Sequence, residues 1–121
     1  MSSHSTHQTG NEMQQCIQNC TECHRACLEM VAHCLGMGGQ HAEPAHIRLL
    51  LDCAEICQTS ANFMTRGSEF HGRTCGVCAE VCTRCAEECE RLAGEDEMMK
   101  RCAEICRRCA DSCRQMASMA K

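Results

Sequence analysis

Residues 75–89 read CGVCAEVCTRCAEEC and contain five cysteines in fifteen positions. The cysteines stand at 75, 78, 82, 85 and 89, so consecutive cysteines are three or four residues apart. Side chains with this spacing share one face of an α-helix, the face on which a packed helix normally carries leucine or isoleucine. The stretch therefore predicts a helix that buries a row of thiols.

Three further stretches have the same periodicity. The first carries cysteines at 16, 20, 23, 27 and 34, with Met30 at the missing step. The last carries cysteines at 102, 106, 109 and 113. The second departs from a full ladder, because the row through Cys53 and Cys57 begins with His46 and continues through Ser60. These rows predict three more helices with thiols on their buried faces.

The breaks between the rows give the approximate ends of the helices. Glycines at 36, 38, 39, 67 and 94 are stop signals, and Pro44 suits the first turn of a helix. We therefore predict helices over about residues 12–36, 44–66, 69–93 and 96–118. Residues 1–11 are polar and are expected to form a flexible tail, whereas residues 12–121 are expected to form one domain.

Four helices of similar length with short connections predict the fold class. A helix of about 20 residues is about 30 Å long, and short connections favour antiparallel neighbours. We expect an all-α protein, an antiparallel four-helix bundle with a cysteine-lined core. Acid-before-base pairs four residues apart, such as Glu87–Arg91 and Glu104–Arg108, are expected to form ion pairs on the exposed faces.

Charge and composition disfavour several classes of function. The 121-residue chain has 12 basic and 16 acidic residues, a formal charge of −4, which argues against nucleic acid as a partner. It has no run of 18 apolar residues, so we expect no membrane span. The first residues lack an apolar signal-peptide core, and we predict a cytoplasmic protein. Because structural disulfides are rare in that reducing compartment, the 16 cysteines favour metal binding.

Metal ions explain whole rows of thiols better than the alternatives do. Burial of cysteine as a small hydrophobic residue accounts for one or two positions, and the helical spacing alone does not provide disulfide geometry. Sixteen thiolates around four Zn²⁺ ions keep a net charge of about −8, which is costly in a protein core. About one monovalent ion per thiolate leaves no net charge, and Cu(I) is the soft ion that thiolates select.

The cysteine segments also resemble a known family. The segments DCAEIC at 52–57, CAEVCTRCAEEC at 78–89 and RCAEICRRCADSC at 101–113 closely resemble those of the bacterial copper storage proteins, and the resemblance extends over residues 13–117. It implies a four-helix bundle that binds many Cu(I) ions through cysteine thiolates and assembles as a homotetramer. In lacking an export signal, the sequence resembles the cytosolic branch of the family. We expect a copper chaperone or exporter as the partner that exchanges copper with it.

The predicted function is therefore storage or sequestration of Cu(I) without catalysis, at up to about one ion per cysteine. His46 lies one heptad before Cys53 on the inner row, and we prefer it to the other histidines as a ligand. We expect copper to enter at the end of the bundle that contains His46, which is richer in histidine and methionine. The candidate ligands are Cys16, Cys20, Cys23, Cys27, Cys34, Cys53, Cys57, Cys75, Cys78, Cys82, Cys85, Cys89, Cys102, Cys106, Cys109, Cys113 and His46.

Two other functions fit the same thiols. A zinc or cadmium sink of the metallothionein type would hold about four divalent ions in four-cysteine sites. A thiol redox protein that scavenges oxidants would depend on one or two unusually reactive cysteines. Metal preference separates the first alternative from copper storage, and the reactivity of individual thiols separates the second.

Overall fold

The computed structural model describes the backbone of residues 2–119 and the side chains of residues 10–119. Within this range the chain forms four long α-helices and one short 3₁₀ helix, and the predicted four-helix bundle is confirmed. The helices are α1 (Ser2–Met37), α2 (Pro44–Thr65), α3 (His71–Ala93) and α4 (Glu97–Met119), and the 3₁₀ helix (Gly39–Ala42) joins α1 to α2.

Neighbouring helices run antiparallel, as contacts between their side chains show. The sulfur of Cys53 in α2 lies 3.6 Å from that of Cys82 in α3, and the sulfur of Cys57, one turn later in α2, lies 3.7 Å from that of Cys78. An increase in residue number along α2 is therefore matched by a decrease along α3. The contacts of α1 with α4 and with α2 follow the same rule, so the four helices alternate in direction around the bundle.

Contacts across the diagonals show that thiols fill the bundle axis. The sulfur of Cys23 in α1 lies 4.0 Å from that of Cys82 in α3, and the sulfur of Cys57 in α2 lies 3.8 Å from that of Cys109 in α4. Few large apolar side chains share this core, and Leu50, Met99 and Met116 are the largest of those that are fully buried. The interior of the bundle is therefore built mainly from sulfur atoms and alanine side chains.

Glycines with positive φ permit the chain to leave two of the helices. The N–H of Gly38, which has φ of 72°, donates to the carbonyl oxygen of Cys34 and closes the last turn of α1. Gly94 has φ of 54° and follows α3 directly. A residue with a Cβ is strained at such φ values, so these positions favour glycine. The predicted stop signals at Gly38 and Gly94 therefore coincide with observed helix ends, whereas Gly36 lies inside α1.

Asp96 caps the start of α4 and also connects α4 to α1. One carboxylate oxygen accepts hydrogen bonds from the N–H groups of Met98 and Met99, at 2.9 and 3.2 Å. The other oxygen lies 2.6 Å from Nε2 of His33 in α1. The hydrogen bond from His33 is the largest cause that lowers the pKa of Asp96, so this carboxylate is charged at neutral pH. The sequence analysis did not predict this histidine partner.

The start of α1 differs from the prediction. The helix begins at Ser2, well before the predicted start near residue 12, so the backbone shows no boundary between a tail and the bundle. Residues 2–11 contain no proline, and a single glycine at position 10 does not stop a helix that is already formed. The side chains of residues 1–9 lie outside the described part of the chain.

The ion pairs on the surface also differ from the predicted ones. Arg91 contacts Glu88, three residues before it, at 2.9 Å, and Arg108 contacts Glu22 of α1 at 3.1 Å. These side chains are long and exposed, so an arginine can pair as well with a carboxylate three residues away or on the next helix as with the one four residues away.

No helix among residues 2–119 is both long enough and apolar enough to cross a bilayer.

Candidate metal centre

All sixteen cysteines point into the bundle. Each is a free thiol, and each is at most 1% exposed to solvent. This follows from the spacing in the sequence, because steps of three and four residues keep a row of side chains on one helix face. The structure thus buries all the cysteines that the sequence analysis selected along the inside of the bundle, which we call the sulfur column.

Twelve of the cysteines form five compact groups. Within each group, every sulfur lies within 4.8 Å of every other, a separation at which one ion can contact all of them. The groups are Cys16, Cys75 and Cys113; Cys20, Cys78, Cys109 and Cys113; Cys57, Cys78, Cys82 and Cys109; Cys23, Cys53, Cys57 and Cys82; and Cys23, Cys27, Cys53 and Cys106. We call the three-sulfur group of Cys16, Cys75 and Cys113 the terminal thiol group.

The groups overlap, and the overlap has a chemical consequence. Cys113 belongs both to the terminal thiol group and to the neighbouring group, and Cys57 and Cys82 likewise belong to two groups each. A thiolate in two groups can bridge two ions, whereas a set of closed mononuclear sites needs separate ligands for each ion. The arrangement therefore suits a chain of bridged ions better than isolated four-cysteine sites.

The antiparallel register divides the column into levels, each with one residue from each helix. Two central levels consist entirely of cysteine. The levels on either side contain three cysteines each, because α2 contributes Ser60 to one and Leu50 to the other. The two central levels are Cys20, Cys57, Cys78, Cys109 and Cys23, Cys53, Cys82, Cys106, and the flanking levels are Cys16, Ser60, Cys75, Cys113 and Cys27, Leu50, Cys85, Cys102. The incomplete row on the second helix, noted in the sequence, accounts for both missing thiols.

His46 lies beyond the Leu50 level and contacts a thiol. Its Nε2 is 3.4 Å from the sulfur of Cys34, and the residue is 4% exposed. Its other ring nitrogen, Nδ1, is buried and has no hydrogen-bond partner among the described residues. Burial is the largest cause that lowers the pKa of His46, so the imidazole is neutral at pH 7 and has a nitrogen lone pair available for a metal ion.

The remaining thiols at this end are less tightly grouped. Cys34, Cys85, Cys89 and Cys102 are buried but belong to none of the five groups. Burial, followed by the negative charges of Cys102 and Asp96, raises the pKa of Cys34 to about 11. The two ends of the column therefore differ, since one ends in three closely spaced sulfurs and the other in separated thiols and an imidazole.

Neighbouring thiols in the centre oppose one another's ionisation. The hydrogen bond between Cys23 and Cys106 is the largest cause that lowers the pKa of Cys23, and the pKa of Cys106 is raised, chiefly by its hydrogen bond with Cys102. One thiolate can be stabilised by the S–H groups around it, but a second one beside it meets a like charge in a dry core. Deprotonation of the whole column therefore requires cations among the sulfurs.

Comparisons with known proteins agree with this geometry. The protein Nmul_A1745 from Nitrosospira multiformis is similar in structure, with 50% identity over 91% of this chain and 98% of that chain and a TM-score of 0.85. The Cu(I)-bound copper storage protein BsCsp3 has 34% identity over 88% of this chain and 98% of its own, with a TM-score of 0.80. A cytosolic copper storage protein from Streptomyces lividans, solved with five coppers, has 31% identity over 91% and 95% of the two chains and a TM-score of 0.79.

Comparison of the sequence with known proteins identifies the family. A cysteine-rich protein of Bacillus subtilis, YhjQ, is 35% identical over 66 residues, and this match spans 61% of the length of that relative. The sequence profile of the copper storage protein family matches residues 9–118, which include every cysteine of the column. On this match, the chain belongs to the copper storage protein family.

Proposed function

We propose that this chain stores Cu(I) as thiolate-bound cargo inside the bundle and has no catalytic role. The observation that supports this most strongly is the set of overlapping thiol groups along the axis. Each thiol that binds copper releases its proton, so loading exchanges protons for Cu(I) ions. The Cu(I)-bound and copper-loaded relatives support the same cargo for this chain.

Charge and ligand sharing favour Cu(I) over a divalent ion. The column is buried, and excess negative charge there is costly unless a cation accompanies it. A monovalent ion for each thiolate neutralises the column, and thiolates shared between adjacent groups can bridge successive ions. We therefore propose a capacity of up to about one Cu(I) per cysteine, with all sixteen cysteines and His46 as the ligands.

We also propose that copper enters at the end that contains Cys34 and His46. The neutral imidazole beside a buried thiol offers a weaker ligand ahead of the closely spaced thiolates. A ligand set that strengthens from the end of the column to its centre would draw the ion inwards. This end also contains Met98, which is 47% exposed and carries a thioether sulfur.

An anaerobic titration of the reduced protein with Cu(I), against a competing chromophoric chelator, tests the proposed function. We expect saturation at well above four ions per chain and approaching one ion per cysteine. Saturation at one to four ions would contradict storage in a filled column. A parallel titration with Zn²⁺ or Cd²⁺ tests the divalent sink, which should saturate at about four divalent ions per chain in separate four-cysteine sites.

The similar proteins suggest where this chain acts. The Streptomyces protein is described as cytosolic, and we propose the same location for this chain. We also propose that the chain forms a homotetramer and exchanges copper with a chaperone or exporter. Light scattering on the reduced protein tests the tetramer, for which the mass should be about four times the 13.4 kDa of one chain.

A further inference from the structure

Ser60 is the one residue of its level in the column that is not a cysteine. It is 0% exposed, and its Oγ has no hydrogen-bond partner among the described residues. A buried hydroxyl without a partner normally costs stability, so its presence in a close-packed core calls for a compensating interaction. The hydroxyl lies in the row of α2 side chains that face the sulfur column.

The register of the helices places Ser60 beside the terminal thiol group. Cys57 contacts Cys78, and one turn further on in α2 Ser60 is level with Cys75, one turn earlier in α3. Cys53 contacts Cys23, and two turns further on in α2 Ser60 is level with Cys16, two turns earlier in α1. The level that contains the terminal thiol group therefore has three cysteines and one serine, where the next level has four cysteines.

The charges of the terminal sulfurs give this hydroxyl a function. Cys113 also belongs to the next group, so its charge can be shared with a second ion. Cys16 and Cys75 belong to no other group, so fewer sulfurs surround their thiolates. A hydrogen bond from a neutral donor to a charged acceptor is the means by which proteins stabilise such a group in a dry site.

We propose that the terminal thiol group is a three-sulfur Cu(I) site in which the Ser60 hydroxyl donates a hydrogen bond to a copper-bound thiolate. The site takes one soft monovalent ion, because three thiolates provide a trigonal set and a serine oxygen is a poor ligand for Cu(I). Ser60 is thus a positioning residue that acts through a sulfur atom. The inference rests on the proposed storage of Cu(I). It makes this end of the column a three-sulfur site that is supported by a hydroxyl, unlike the four-cysteine levels in the centre.

The test is the copper retained by Ser60→Ala in the presence of excess competing chelator. Loss of a hydrogen bond to a charged sulfur should weaken binding of about one ion per chain by about ten- to a hundredfold. The variant should therefore retain about one Cu(I) fewer than the wild type at a suitable chelator concentration. Ser60→Thr, which keeps the hydroxyl, should restore that ion, and Ser118→Ala, at an exposed serine of α4, should match the wild type.

A second measurement separates this role from packing. Because Ser60→Ala removes an unsatisfied hydroxyl, it should raise the Tm of the metal-free protein by a few degrees while it weakens copper binding. A variant that lowers both the Tm and the copper content would overturn the proposal, as would one that retains as much copper as the wild type. Loss of Zn²⁺ retention without loss of Cu(I) would make the hydroxyl a ligand for a divalent ion and would also overturn it. A wild-type protein that takes up few copper ions would contradict storage itself, before any variant is compared.

Discussion

At the scale of single residues, Leu50 is unusual because it is a large side chain in a core of small ones. It is fully buried and stands where a fourth thiol would complete the level of Cys27, Cys85 and Cys102. Rigid helices on all sides limit how far the core can collapse around a gap at this position. Leu50 therefore contributes much of the apolar packing on its side of the column.

We expect Leu50→Ala to destabilise the metal-free protein by about 2–5 kcal/mol, because it leaves a cavity between helices. Leu51→Ala is the matched control, since Leu51 is 44% exposed and its truncation should change the free energy of unfolding by about 0.5 kcal/mol or less. Denaturant unfolding of the reduced proteins measures both values. Equal losses for the two variants would show that the Leu50 level is loosely packed.

His46 makes stability depend on pH. Its pKa is lowered by burial from the usual 6.5, so the folded protein takes up this proton less readily than the unfolded chain does. The stability linked to His46 is complete above about pH 6.5 and decreases as the pH falls towards the lowered pKa. Between pH 7.5 and 5.5, the wild type should therefore lose more unfolding free energy than His46→Leu. Parallel curves for the two proteins would contradict this assignment.

At the scale of elements, Asp96 is the capping residue of α4 and the partner of His33. Asp96→Ala removes both interactions and should cost about 1 kcal/mol or more, whereas Asp96→Asn keeps an oxygen for the N–H groups and should cost less. Asp111→Ala, which removes an exposed ion pair with Arg114 within α4, is the control and should change stability by less than about 0.5 kcal/mol. Thermal unfolding at pH 7 ranks the stabilities of the three variants. A loss of stability for Asp96→Ala no greater than that for Asp111→Ala would contradict the capping role.

The positions and inner faces of the helices could largely be predicted from the sequence. The rows of cysteine predicted the helices and their inner faces, because a period of three to four residues has no other regular structural meaning. The starts of α2, α3 and α4 and the ends of α1, α2 and α3 lie within about two residues of the predictions, close to glycine or proline residues that change the backbone. The start of α1 was missed because polar residues carry no periodic signal. The surface partner of Arg108 was missed because it belongs to another helix.

At the scale of the whole molecule, the fold should not depend on metal. The thiols pack as neutral groups, and the four helices bury them without any ion. We expect the reduced, metal-free protein to be helical by circular dichroism and to melt in one cooperative transition. Cu(I) should then raise the Tm in proportion to loading, since each ion binds the folded column. A disordered metal-free chain would contradict this expectation.

The site itself was predictable in composition but not in arrangement. The sequence selected every cysteine of the column, because each lies on a helical row. It did not reveal which thiols share a level, because the register between helices is set by the connections and the packing of the whole bundle. The hydroxyl at Ser60 was visible as a break in the row of α2, but the register that puts it level with Cys16 and Cys75 is a property of the assembled fold.

The burial of all sixteen thiols has a consequence for motion. Exchange of an ion deep in the column requires either stepwise transfer along the sulfurs or a transient separation of the helices, and the second route depends on local opening of the protein. Modification of the thiols by a bulky alkylating reagent meets the same barrier. The rates of thiol labelling, one cysteine at a time, would thus give the free energies of these opening events, and the slowest thiols would mark the region from which copper is last to leave.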